Sequence, residues 1–263
     1  MKIRPGIEVG NLTDTGCRRE ENEDDYCYWE SESDEEFRRK GRLVVVADGM
    51  GGHQAGDLAS GIAVEVVCSR YVSSEINEPD LALLEALTWA HVTIQEFARD
   101  HPEHSGMGTT CTAAVLHNGD LYYAHVGDSR LYLVRDSGIT CLTRDHRVVN
   151  RLIEQGLLSP DEAAGHPERG VLTAAVGVGN AVPVEVPENP IALLPGDILL
   201  LCTDGLHDLV GNEEMRDVTL QNPPAAACRL LIEKAKLRGG YDNITVLILK
   251  SALKVAQKGR RPW

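Results

Sequence analysis

CTAAVLHNGDLYYAHVGDSRLYLV, residues 111–134, contains three short runs of aliphatic, β-branched and aromatic side chains, separated by Asn118-Gly119-Asp120 and by Gly127-Asp128-Ser129. Runs of this length with Gly, Asn and Asp in the gaps read as strands, and Asn-Gly between two of them is a hairpin signal. Three such runs in succession predict an antiparallel meander and argue against parallel βαβ winding at this point. Similar runs recur at 43–47, 198–202 and 244–249. Two helical stretches are expected between residues 47 and 111, the later one carrying Leu83, Leu87, Ala90, Ile94 and Phe97 on a single apolar stripe. Further helices are expected at 148–157 and at 225–237, the latter preceded by Pro223-Pro224 and closed by Gly239-Gly240. Strand groups alternating with helix pairs indicate an α+β layered fold.

The 263 residues suffice for one large domain with a real core, expected to span residues 1–250 and to be followed by a basic tail at 251–263. Residues are 43% hydrophobic and 25% charged, and the formal net charge is −14. That charge argues against a general nucleic-acid binder or a ligand of anionic membranes. Any phosphate group handled by so acidic a chain needs local positive charge from bound cations or a few arginines. Seven scattered cysteines with no Cys-x-x-Cys pair read as reduced thiols, and no apolar run reaches the length of a secretory core or a membrane span, so a cytoplasmic location is expected. The segment 30–36, ESESDEE, has five acids in seven residues and is expected to be a solvated hairpin tip.

Four aspartates share one setting. Asp48 follows LVVVA, Asp128 follows AHVG, Asp204 follows ILLLCT, and Asp242 stands just before ITVLIL. Each is at a strand terminus, so the four can converge on one edge of a packed sheet, where they would need countercharge. Ligation by oxygen alone suits hard octahedral cations such as Mg²⁺ or Mn²⁺ better than zinc. One strand-end Asp-Gly is most simply a turn. Four in the same setting weaken that explanation.

In this respect the chain resembles the metal-dependent protein phosphatases of type 2C in their compact bacterial form. The resemblance rests on Asp14-Thr15-Gly16 with Arg19 and Asn22-Glu23-Asp24, then Asp48-Gly49-Met50-Gly51-Gly52-His53, Gly106-Met107-Gly108-Thr109-Thr110, Gly127-Asp128-Ser129-Arg130, Thr203-Asp204-Gly205-Leu206 and Asp242-Asn243-Ile244-Thr245, in the family's order. It implies a layered β-sandwich of two mainly antiparallel sheets flanked by pairs of helices. It also implies hydrolysis of phosphoserine and phosphothreonine on proteins by metal-activated water, without a phosphoenzyme intermediate. Asp48 would bridge two Mn²⁺ or Mg²⁺ ions, with Glu23 and the Gly49 carbonyl on one and Asp204 and Asp242 on the other. Asp24 would hold a metal-bound water, and Arg19 would offer its planar fork to phosphate oxygens. Asp128 and Asp208, with Asp204 shared, are the expected ligands of a third, weaker ion. Residues 145–180 correspond to a flap bordering the site, with Gly156, Gly165, Gly170, Gly177 and Gly179 as hinge candidates. The partners implied are phosphoproteins, including a cognate serine/threonine kinase, and the expected state is a monomer. Many eukaryotic members carry a histidine directly after the Asp-Gly pair; here that position is Met50, and His53 reads as structural rather than as a proton donor.

Two rivals can be stated. Cys141 and Arg147 have the Cys-x5-Arg spacing of a cysteine phosphatase, but the intervening LTRDH lacks glycine and places Asp145 where a phosphate dianion would sit. A catalytically silent phosphoprotein-binding pseudophosphatase would show degenerate metal ligands, whereas Glu23, Asp48, Asp204 and Asp242 are all present.

Overall fold

Side chains along a strand alternate between its two faces, and residues 43–47 follow that rule: Val44 and Val46 enter one core, while Leu43, Val45 and Ala47 enter another. The structure is a computed structural model and describes residues 3–51, 55–163 and 165–251. His53 and all of the basic tail beyond Ser251 lie outside the described residues. In chain order the elements are β1 (Ile7–Asp14), β2 (Asp24–Glu30), α1 (Asp34–Lys40), β3 (Arg42–Met50), α2 (Ala55–Ser73), α3 (Pro79–Asp100), β4 (Gly108–Thr109), β5 (Cys111–His117), β6 (Asp120–Val126), β7 (Arg130–Arg135) and β8 (Gly138–Cys141). There follow α4 (Val148–Glu154), α5 (Pro160–Ala163), β9 (Ile191–Ala192), β10 (Ile198–Cys202), α6 (Asp204–His207), α7 (Asn212–Gln221), α8 (Pro224–Leu237) and β11 (Ile244–Ser251).

One sheet has the order β1-β11-β10-β7-β8 and the other β2-β3-β5-β6-β9, with β4 paired to β3; every pairing is antiparallel. The sheets meet through Val44, Val46, Leu131, Leu199, Leu201 and Leu247. Alternate residues of the same strands face outward onto helices: Val45 and Ala113 onto α2 and α3, Leu200 and Ile248 onto α7 and α8. The result is the layered sandwich implied by the resemblance, with helices on both outer faces. The expected stripe on α3 is buried through Leu83, Leu87, Ala90 and Ile94, with Phe97 packed at its margin.

Three local expectations are corrected. The Asn118-Gly119 hairpin joins β5 to β6, but β6 and β7 do not pair, so residues 111–134 are not a meander. Gly127-Asp128-Ser129 carries the chain from one sheet to the other, with Gly127 at φ +107°. β7 takes its partners, β10 and β8, from its own sheet, and an apolar run does not encode which strand it will meet. The acidic segment is not a hairpin tip either. Glu30 ends β2 and is buried against Arg42 at 2.9 Å, and Ser33 caps α1 by accepting from the Glu36 N–H at 3.5 Å. Three acids in the first turn of α1 and three bases in its last suit the helix dipole. The helix expected over 148–157 ends at Glu154, before Gly156 with its φ of +70°.

Candidate active site

Each of the aspartates singled out at strand ends is brought to the same end of the sandwich. The register of β2 on β3 sets Asp24 opposite Asp48. Asp204 opens α6 directly after β10, and Asp242 stands two residues before β11, which pairs with β10. Asp128 occupies the crossing between the sheets. A cavity of about 950 Å³ is lined by Arg19, Glu23, Asp48, Gly49, Asp128, Asp204 and Asp242, with Met50, His104 and Thr110 also on its wall. Asp24 and Asp208 do not line it. Asp24 is buried at its edge of β2, and Asp208 caps the end of α6 with a half-exposed side chain.

Residues quoted only as parts of motifs supply the support. The Thr110 hydroxyl donates to Ser129 or accepts from it at 2.7 Å, and it accepts from the Asp48 N–H at 2.9 Å. The Asp48 carbonyl accepts from the Thr110 N–H and the Thr109 hydroxyl, both at 2.9 Å. Asn243 accepts from the Glu23 N–H at 2.9 Å and donates to the carbonyls of Glu21 at 2.9 Å and Thr15 at 3.1 Å, which fixes the approach to β2. Thr203 and Thr245 donate to Asp24 Oδ2 at 2.8 and 2.7 Å. Asp24 Oδ1 is buried with no partner. Gly49 has no room for a side chain, because a Cβ there would strike the Gly56 carbonyl.

Like charges dominate the electrostatics. Desolvation, together with Asp24, Asp204, Asp128 and Asp242, holds the Asp48 carboxyl well above the usual carboxylate range. Burial pushes Asp24 up to about 7 against the Thr245 and Thr203 hydroxyls. Desolvation, Asp128 and Asp208 push Asp204 up to about 7 despite the pull of Arg147. Glu23 is raised by desolvation and partly relieved by Arg19. So many carboxylates cannot all ionise in one pocket without bound positive charge. The unpartnered Asp24 Oδ1 and an all-oxygen donor set both fit hard divalent cations.

Arg19 stands at the rim, with Nη2 2.8 Å from Asp242 Oδ2 and Nη1 3.8 Å from Glu23 Oε2. Sequence reasoning weighed Arg147 only as part of a Cys-x5-Arg loop. Its guanidinium instead reaches Asp128, Asp204 and Asp208. Cys141 faces Thr143, and burial raises its thiol, which removes the cysteine-phosphatase rival. All seven cysteines are free. His125, His146 and Glu185 lie close enough to share an ion. However, His125 Nε2 is 3.1 Å from both the Gly127 and Arg144 carbonyls and Nδ1 is 2.8 Å from the Thr112 hydroxyl, so both ring nitrogens are already used.

Residues 145–180 border the cavity through Gly170 and Leu172. Isolated bridges tie Arg147 to Leu172 and Val176 to Thr109. Of the hinge candidates, Gly156, Gly177 and Gly179 take positive φ, whereas Gly170 does not.

The fold and this site define a class: a helix-flanked double sheet with an all-oxygen centre suited to hard divalent cations at one end. The chain belongs to the protein phosphatase 2C family, whose model matches residues 15–224. Members of that family depend on metal. The serine/threonine phosphatase Stp of Listeria monocytogenes is 37% identical over 259 residues, covering 94% of this chain and 96% of its own. A Streptococcus agalactiae serine/threonine phosphatase superposes with a TM-score of 0.84 at 34% identity, covering 92% of this chain and 98% of the other. The catalytic domain of the serine/threonine protein phosphatase PstP, solved with two manganese ions, gives a TM-score of 0.78 at 30% identity, covering 93% and 98%. No helix among the described residues is long and apolar enough to cross a membrane.

Proposed function

We propose that this chain is a metal-dependent protein phosphatase that hydrolyses phosphoserine and phosphothreonine on other proteins in the cytoplasm, as a monomer, opposing a serine/threonine kinase. The observation that carries this reading is the convergence of Glu23, Asp48, Asp204 and Asp242 on one cavity with the Arg19 guanidinium at its rim. The catalytic domain spans residues 1–250, and the segment 145–180 acts as the flap that shapes substrate choice. A complete carboxylate set speaks against the pseudophosphatase alternative.

Two Mn²⁺ or Mg²⁺ ions would be held by Glu23, Asp48, the Gly49 carbonyl, Asp204 and Asp242. When bound, such a pair supplies countercharge to the phosphate and activates water for in-line attack on phosphorus. The chain's own residues do the rest. Arg19 binds phosphate oxygens through its planar fork, a geometry matched to two oxygens at once. Asp24, opposite Asp48 in the strand register and with Oδ2 fixed by Thr203 and Thr245, keeps Oδ1 as an unpaired buried acceptor for a water beside the site. Thr109, Thr110 and Asn243 hold the backbone on which these groups sit. Met50 has no proton to give to the leaving alkoxide. A third ion at Asp128, Asp204 and Asp208 would meet carboxylates that already accept from Arg147.

The test is release of phosphate from phosphoserine and phosphothreonine peptides in Mn²⁺ or Mg²⁺. Chelation should abolish it, and Asp48→Ala should lower kcat by at least ~10³, because several kcal/mol of charge stabilisation is lost. Turnover that survives exhaustive chelation would overturn the reading.

A further inference from the structure

Asp128, Asp204 and Asp208 converge on a single side chain. Arg147 Nε donates to Asp128 Oδ2 at 2.6 Å, Nη1 to Asp208 Oδ1 at 3.1 Å, and Nη2 to Asp204 Oδ2 at 3.2 Å. Each nitrogen of one guanidinium is thus spent on a different carboxylate, and the arginine side chain is only 7% exposed. Both sides of the contact are fixed in place. The His146 N–H donates to the Gly127 carbonyl at 2.7 Å, the Val148 N–H to Val171 at 2.9 Å, and the Thr173 N–H to His146 at 2.7 Å, so the backbone on either side of Arg147 is pinned. Asp128 is held through its carbonyl, 2.9 Å from His207 Nε2.

We propose that Arg147 is a built-in cation that takes the place of a third divalent ion, so that this chain binds two ions and uses a guanidinium at the Asp128, Asp204 and Asp208 cluster. The inference rests on the two-metal phosphatase reading and adds to it. An ion ligated by these carboxylates would approach oxygens of which Asp128 Oδ2, Asp204 Oδ2 and Asp208 Oδ1 already accept from the guanidinium, and it would sit against a like charge. Arg147 is tethered, so its local concentration at the cluster is unaffected by the metal supply. Displacing it would also strand a buried charge without partners. Because Arg147 lies near the start of the segment 145–180 and Asp204 belongs to the central clamp, the same contact latches that segment to the metal centre.

The experiment is calorimetric titration of metal-free protein with Mn²⁺, with folding checked by circular dichroism. Wild type should saturate at two ions. Arg147→Ala should take up a third. The double variant Arg147→Ala with Asp128→Ala should return to two. Arg147→Gln, which removes the charge but keeps a side chain of similar reach, should also take up a third and keeps the test available if the alanine variant does not fold; a folded Arg147→Gln that stays at two overturns the proposal as well. Wild type binding three ions, or folded Arg147→Ala binding only two, overturns the proposal while leaving the two-metal reading intact. Wild type binding no Mn²⁺ overturns both.

Discussion

Arg19 is the clearest case of one side chain with two possible duties. Its guanidinium lies 2.8 Å from Asp242 and 3.8 Å from Glu23, yet the side chain is half exposed and faces the cavity. A group that touches phosphate in both ground and transition states contributes mostly to binding. Arg19→Ala is therefore expected to raise KM for a phosphopeptide by about 10-fold, with a smaller fall in kcat. An unchanged KM would show that phosphate is anchored elsewhere. The carboxylates were legible as residues because each stands beside an apolar run that ends abruptly. Their supports were present in the same motifs, as Thr110, Thr203, Asn243 and Thr245, but a hydroxyl's partner cannot be read from spacing. Arg147 had no such signal, since its three partners lie 19, 57 and 61 residues away in the chain.

At the scale of elements, the crossing from β6 to β7 decides where Asp128 goes. Gly127 adopts φ +107°, and a Cβ there would come within 2.6 Å of the Thr110 side chain, which itself holds Asp48. Gly127→Ala is expected to destabilise the fold by at least ~1 kcal/mol through strain and overlap, and to lower activity by disturbing Thr110. A melting temperature equal to wild type would show that the crossing relaxes freely. The start of α1 could have been read from Ser33 and Glu36, a capping pattern obscured by the surrounding acids. β1 and β2 were harder to see because each mixes polar and apolar residues and is only partly buried.

For the whole molecule, the acidic site implies a balance between protons and metal. Asp24 and Asp204 are pushed up to about 7 and Asp48 well above its usual range, against about 3.9 for an unfolded aspartate. Between these values the folded, metal-free chain holds protons that the unfolded chain has released. Stability from these groups is full below about pH 4 and is lost as pH rises through about 7. His125, pushed down to about 4 by burial, acts in the opposite sense, but in both metal-free and loaded protein. The gap in melting temperature between Mn²⁺-loaded and metal-free protein is thus expected to widen from about pH 5 to about pH 7. A constant gap would mean that the carboxylates are not relieved by the ions. The strands around 43–47, 111–134, 198–202 and 244–249 and the identity of the clustered acids were legible in the chain alone, because hydrophobic period and turn chemistry are local. It took the folded arrangement to place β6 and β7 in different sheets, to bury Glu30 against Arg42, and to set Arg147 among three aspartates. Those outcomes depend on strand partners and on charges distant in the chain, which have no local signature.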